Sequence, residues 1–303
     1  MSEATRVPTQ GPEHPLLRLA LVAVLAGCGG TPGTVVVDTD SPPAPSTTGT
    51  PTTSTPTPSP TDTTDPSWPT LPTETPSGVR GLLVGPDGTA RGDAEVMACT
   101  RTTCFTGTTE PDGTFVFEVE PGTEVALKSV WNDDVEPRLA EALRPIVVDE
   151  DGAMTLDFVY QPDLPEGAEV QSSSHDPQAL GVGDDLVLTV DKAALKAPFG
   201  VFLQDIAARR IPDVWVPPYP PLGEIVALAV WALHPFDTTS TAGVGVDAPC
   251  DRPDGTSLEL WAIDPIDGTF EGPHAGSCEG GRFTLAQGDG PTRLTYLVLA
   301  PAP

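Results

Sequence analysis

Positive charge is scarce in this chain. Fifteen Lys and Arg stand against 43 Asp and Glu, for a formal charge of −28 over 303 residues. A surface of that sign repels phosphate backbones, which argues against nucleic acid as a partner. The shortage is even: six against 17 over residues 78–165 and seven against 19 over 166–303. Its simplest role is to keep an exported protein soluble, and basic ligands or divalent cations stay compatible with it. A bilayer-spanning run is also missing. The apolar stretch LALVAVLAG at 19–27 falls well short of the roughly 20 residues a spanning helix needs. Metal-binding patterns are absent too. His14, His175, His234 and His274 are widely spaced, and no CxxC occurs. The acidic groups Asp133-Asp134, Asp149-Glu150-Asp151 and Asp184-Asp185 lack EF-hand spacing and read as surface turns. His274 stands near Ser277 in GPHAGSC, but Ser277 has no glycine-flanked elbow of the kind hydrolases use. No metal, cofactor or catalytic residue is expected.

What the chain has in excess is proline and threonine. In residues 41–76, Pro, Thr and Ser fill 29 of 36 places. Such a segment has almost no apolar surface to offset its chain entropy. Residues 29–77 are therefore expected to be a disordered linker, with polyproline II stretches that make it a semi-rigid spacer. Fully extended at about 3.1 Å per residue, it would reach roughly 150 Å.

Residues 1–28 have the layout of a secretory signal: Arg18, then the apolar run, then small residues. Leu25-Ala26-Gly27-Cys28 resembles the lipobox of bacterial lipoproteins. The resemblance implies a diacylglyceryl group on Cys28, which becomes the first residue of the mature chain. It also implies a cell-envelope location and a membrane as partner. Gly29 does not look like an inner-membrane retention signal, so the implied anchor is the outer membrane, with the body periplasmic or surface-exposed. The leader departs from the usual pattern by carrying Glu3 and Glu13.

Five cysteines are present. If Cys28 is lipidated, four remain and sort by region: Cys99 with Cys104, and Cys250 with Cys278. An oxidising compartment makes both pairs candidate disulfides.

Residues 78–165 read as a β-sandwich. Ala94, Val96 and Ala98 alternate onto one face, as do Phe115, Phe117 and Val119. Gly85-Pro86-Asp87-Gly88 and Glu110-Pro111-Asp112-Gly113 supply turns between the runs. Short strands with such spacing indicate an antiparallel sandwich. The motifs Val79-Arg80-Gly81, Pro86-Asp87-Gly88, Asp93-Ala94-Glu95-Val96, Asp112-Gly113-Thr114-Phe115 and Pro121-Gly122-Thr123 resemble the carboxypeptidase regulatory-like, or prealbumin-like, domain. Asp93 and Glu124 depart from its pattern. The resemblance implies a seven-stranded, non-catalytic sandwich used as a spacer or interaction module, closed by a last strand at 154–159. LAEALR at 139–144 reads as a helical turn.

Residues 166–303 read as a second β-rich domain, with strand-like runs at 186–190, 224–233, 257–263 and 292–299. EIVALAVWAL has no polar break and reads as a central strand buried on both faces. Asp205 to Arg210 reads as a short helix. Trp131 is an exposed-aromatic candidate, and Trp231 and Trp261 read as core. Trp215 and Tyr219, in the proline-rich VWVPPYPPLG, are the candidates for stacking on a ligand, although packing within the loop or core is the favoured role for both. The whole reads as an all-β, non-enzymatic display or interaction module that binds an envelope polysaccharide or protein. The alternative is a hydrolase whose active site lies in 166–303.

Overall fold

The computed structural model describes residues 78–130, 136–150, 152–171, 176–219 and 226–303. The leader, Cys28, the spacer, Trp131, Asp133, Asp134, Asp151 and His175 lie outside the described residues. The described residues belong to one compact unit.

The described chain is all-β apart from one short helical turn, Asp213–Trp215. The first region has eight strands: β1 (Gly78–Val84), β2 (Glu95–Cys99), β3 (Cys104–Thr108), β4 (Thr114–Phe117), β5 (Glu124–Ser129), β6 (Leu143–Val147), β7 (Ala153–Thr155) and β8 (Val159–Tyr160). They form two sheets, β4-β1-β7 with β8 also on β1, and β3-β2-β5-β6. Between the sheets lie Val79, Leu83, Val96, Ala98, Phe115, Phe117, Val125 and Leu127, the alternating positions of their strands. The Pro-Asp-Gly turns form where expected. Gly88 and Gly113 take φ of 75° and 82°, and Asp87 and Asp112 accept hydrogen bonds from Thr89 and Thr114.

Two local expectations are corrected here. The last strand comes as two pieces, β7 and β8, and both run parallel to β1. Leu156 turns into the core between them, and its N–H still bonds the Arg80 carbonyl, so the pieces stay in line. LAEALR is not helical. Ala140 and Leu143 pack inward from extended chain that leads into β6.

The second region contains β9 (Ala168–Glu169), β10 (Gln178–Gly183), β11 (Leu186–Val190), β12 (Leu195–Lys196), β13 (Asp205–Arg210), β14 (Ala229–His234), β15 (Thr238–Ser240), β16 (Gly245–Pro249), β17 (Ser257–Ile263), β18 (Phe270–Glu279), β19 (Arg282–Leu285), β20 (Arg293–Leu294) and β21 (Tyr296–Pro301). Ten of them make one sheet in the order β10-β11-β16-β19-β18-β17-β21-β14-β13-β9. Its ends curl toward each other, bringing β10 against β9 and β13, so the sheet nearly closes on itself. Residues 205–210 are thus a strand rather than a helix. The Ala-rich DIAARR favours a helix locally, but pairing with β9 and β14 overrides that preference.

The sheet encloses Ile206, Ala208, Trp231, Leu233, Leu258, Leu260, Leu297 and Leu299. The intervening positions, Ala207, Val230, Ala232, Tyr296 and Val298, face the other way. They share a third cluster with Leu82, Val84, Cys99, Ala126 and Leu143 of the sandwich. This explains why β14 is buried along its whole length. One face fills the curled sheet and the other packs on the sandwich. All three clusters and both disulfides lie within 65–303, so a fragment of those residues carries every described feature that holds the fold together.

Candidate functional site

The β17–β18 hairpin is a turn built from carboxylates. Asp264 accepts from the Ile266 N–H at 2.7 Å, and Asp267 accepts from both the N–H and hydroxyl of Thr269, at 3.1 and 2.7 Å. Gly268 takes φ 75° and lies so close to the sandwich that a Cβ there would meet Pro145 at 2.8 Å. Only glycine allows that approach. From the other side the short Cys99–Cys104 hairpin brings Arg101 to Asp267, with Nε 3.1 Å from the carboxylate. Burial pushes the Asp267 carboxyl up, but the Thr269 and Arg101 hydrogen bonds outweigh it and hold it below the usual range.

Beside this contact lies a hollow of about 240 Å³, lined by Pro145, Ile146 and Val147 of β6, Glu124 at the start of β5, Trp261 and Phe270 of the curled sheet, and Thr269 of the turn between β17 and β18. Trp261 and Phe270 meet edge to face, with ring centroids 6.2 Å apart. The Trp261 indole Nε1 is buried and has no hydrogen-bond partner among the described residues, an uncommon state for such a donor. Glu124 and Asp267 also border a wider depression of about 780 Å³ that carries Glu118, Glu120, Arg101 and Phe105. The two hollows share Glu124 and Asp267 in their linings, and together they make the recess of the seam. Chemically the two hollows offer apolar rings, carboxylate acceptors and one guanidinium, while the Trp261 Nε1 itself is buried.

The residues singled out from the sequence fall out as follows. Cys99–Cys104 and Cys250–Cys278 are bonded pairs. Trp215 and Tyr219 are both engaged in ring packing, the role favoured for them over ligand stacking. Tyr219 is 3% exposed and lies edge-on to Phe270. Trp215 stacks on Tyr160 at 5.4 Å and meets Phe158 at 5.0 Å. Both rings are occupied in packing the seam. Trp231 is fully buried, as expected, whereas Trp261 is only partly buried and lines the hollow. His274 and Ser277 sit three residues apart on β18 and so point to opposite faces. Their bonds go to the Asp289 carbonyl and to Glu279. Asp184 is engaged by Arg209 and by the Arg210 N–H. Among the described residues no group of three or more His, Cys, Asp or Glu is placed to hold a metal.

The sequence reading missed the recess because Glu124, Trp261 and Asp267 are far apart in the chain. One signal was available: Glu124 departs from the aromatic that the resemblance leads one to expect. A second charged group lies deeper in the seam. Glu141 is buried with Lys128 Nζ 3.9 Å away, and Arg293 bridges Asp237 and Asp264 at 3.1 and 3.2 Å. No protein-family model matches the chain, and no curated protein is similar to it in sequence.

Proposed function

We propose that this chain is a lipid-anchored, non-catalytic binding protein of the cell envelope, and that the seam recess takes a saccharide. One observation carries the ligand class: the Trp261–Phe270 ring pair lines the hollow beside the Glu124 and Asp267 carboxylates. Sugar rings present C–H faces that pack on aromatics and hydroxyls that donate to carboxylates, so the two chemistries match. The sandwich's resemblance to interaction domains agrees with a module that binds without reacting. Two disulfides suit an oxidising compartment, in keeping with export and an anchor at Cys28.

The ligand reading is tested with the 65–303 fragment on an array of bacterial polysaccharides. Trp261→Leu keeps an apolar side chain but removes the aromatic face, and Glu124→Gln removes an acceptor charge. Each is expected to weaken binding by about fivefold to twentyfold, the worth of one packed aromatic face or one hydrogen bond to a charged partner. Equal binding by both variants and the parent protein would overturn the assignment. For the anchor, Cys28→Ala in the full chain is expected to move the protein from the membrane fraction to the soluble fraction. Retention of the variant in the membrane fraction defeats anchoring through Cys28.

A further inference from the structure

Between β12 and β13 the chain runs Ala197-Pro198-Phe199-Gly200-Val201-Phe202-Leu203. Phe199 is 106% exposed and Phe202 85% exposed, the two most exposed large apolar side chains among the described residues. The tip is a turn closed by the Val201 N–H on the Pro198 carbonyl. Gly200 takes φ 83°, and a Cβ placed there would meet no atom within 4 Å. The loop therefore projects, and its base is fixed. β12 pairs with β15, and Lys192 Nζ donates to the Leu203 carbonyl at 3.4 Å. Two phenylalanines held in solvent on an anchored turn mark a contact surface, since single exposed apolar residues are ordinary but an adjacent aromatic pair is not.

The charge around them departs from the rest of the molecule. Residues 192–203, KAALKAPFGVFL, contain no carboxylate and hold two of the chain's three lysines. The neighbouring strand β15 and the residues after it, Thr238 to Ala242, are uncharged. Of the flanking carboxylates, Asp191 accepts from the Ala193 N–H and Asp205 pairs with Arg138 at 3.2 Å, while Glu169 stands opposite Asp205 on β9, beyond the loop's base. In a chain of charge −28 this is a local basic and aromatic patch.

We infer that loop 198–202, with Lys192 and Lys196, is a membrane-surface contact that lodges Phe199 and Phe202 among the headgroups of an anionic bilayer. Charge complementarity selects this occupant. Lysines beside inserted aromatics match anionic headgroups over an apolar interior. Symmetric self-association would instead bring Lys196 close to its own copy. The carboxylates elsewhere do not oppose docking strongly, because charges more than about 8 Å from the surface are screened at physiological salt. The inference is independent of Cys28 and of the saccharide reading.

The test is flotation of the 65–303 fragment with vesicles of phosphatidylcholine alone or mixed equally with phosphatidylglycerol. The parent fragment is expected to float with the mixed vesicles and not with phosphatidylcholine alone. Phe199→Ser with Phe202→Ser is expected to cut binding at least about tenfold, given the apolar area each ring would bury. Lys196→Gln is expected to cut it about fivefold. Because these side chains stand in solvent, the thermal midpoint of both variants should equal the parent's, which separates lost contact from lost fold. Three results overturn the inference: no flotation of the parent with anionic vesicles, equal flotation of the double Phe variant, or a parent dimer that this variant converts to monomer without any lipid binding.

Discussion

At pH 9, Glu141→Gln is expected to be more stable than the parent protein by about 3–5 kcal/mol, while at pH 4.5 the two should be nearly equal. Glu141 lies in the seam, 4% exposed, just before β6. Burial raises its carboxyl to about 8; Lys128 opposes the shift and Asp237 adds to it. Lys128 is 3.9 Å away, beyond direct hydrogen-bond reach, so its attraction does not offset the loss of water. Below the ordinary carboxyl value both folded and unfolded chains are protonated, and Glu behaves like Gln. Between about 4.5 and 8 the unfolded chain ionises while the folded one does not, so the parent loses roughly 1.4 kcal/mol per pH unit from this group. Above 8 both forms ionise and the loss levels off. Urea midpoints of parent and variant at pH 5, 7 and 9 measure the difference. A gap that stays constant with pH, or a parent that is the more stable at pH 9, would show that Glu141 is already charged in the fold.

How much of this was legible in the sequence depended on where the determining contacts lie. Turns with a local mechanism were readable: Asp87 and Asp112 bond their own neighbours, and Gly88 and Gly113 adopt the positive φ that the Pro-Asp-Gly motifs demand. The second half of the apolar run 224–233 was readable as a strand buried on two faces, for β14 covers Ala229–His234 while Val226 before it is 76% exposed. What covers those faces was not, because alternation tells which residues turn inward but not onto what. Residues 205–210 were misjudged because Ala and Arg favour helix when considered alone, and the deciding partners, Ala168 and Leu233, are distant in sequence. The same limit hid the recess, whose Glu124 and Trp261 come from different sheets. Phe199 and Phe202 escaped notice for a different reason. An aromatic in a β-rich chain is read as core by default, and only the neighbouring lysines in an otherwise acidic sequence argued against that.

Removing the Cys250–Cys278 bond by double substitution to Ala is expected to cost about 3–4 kcal/mol, and removing Cys99–Cys104 in the same way about 2 kcal/mol. Both figures come from the chain entropy each loop would regain in the unfolded state. The sequence separations are 28 and 5 residues. The first loss is a large share of a stability of about 5–15 kcal/mol, so thermal melting should separate the two variants clearly. Accessibility orders them in the opposite sense. The short bond has one exposed sulfur-bearing residue, Cys104, beside a buried Cys99, whereas Cys278 is fully buried and Cys250 nearly so. A mild reductant without denaturant should therefore open only the 99–104 pair, leaving two alkylated thiols by mass while the fold persists. That opening has a functional consequence. Arg101 reaches Asp267 from within the short hairpin, so releasing the hairpin loosens the contact that frames the recess. Mild reduction is expected to weaken saccharide binding several-fold with little change in circular dichroism. If instead the 250–278 pair is reduced first, or all four thiols react together, the two bonds do not hold the separate roles assigned to them.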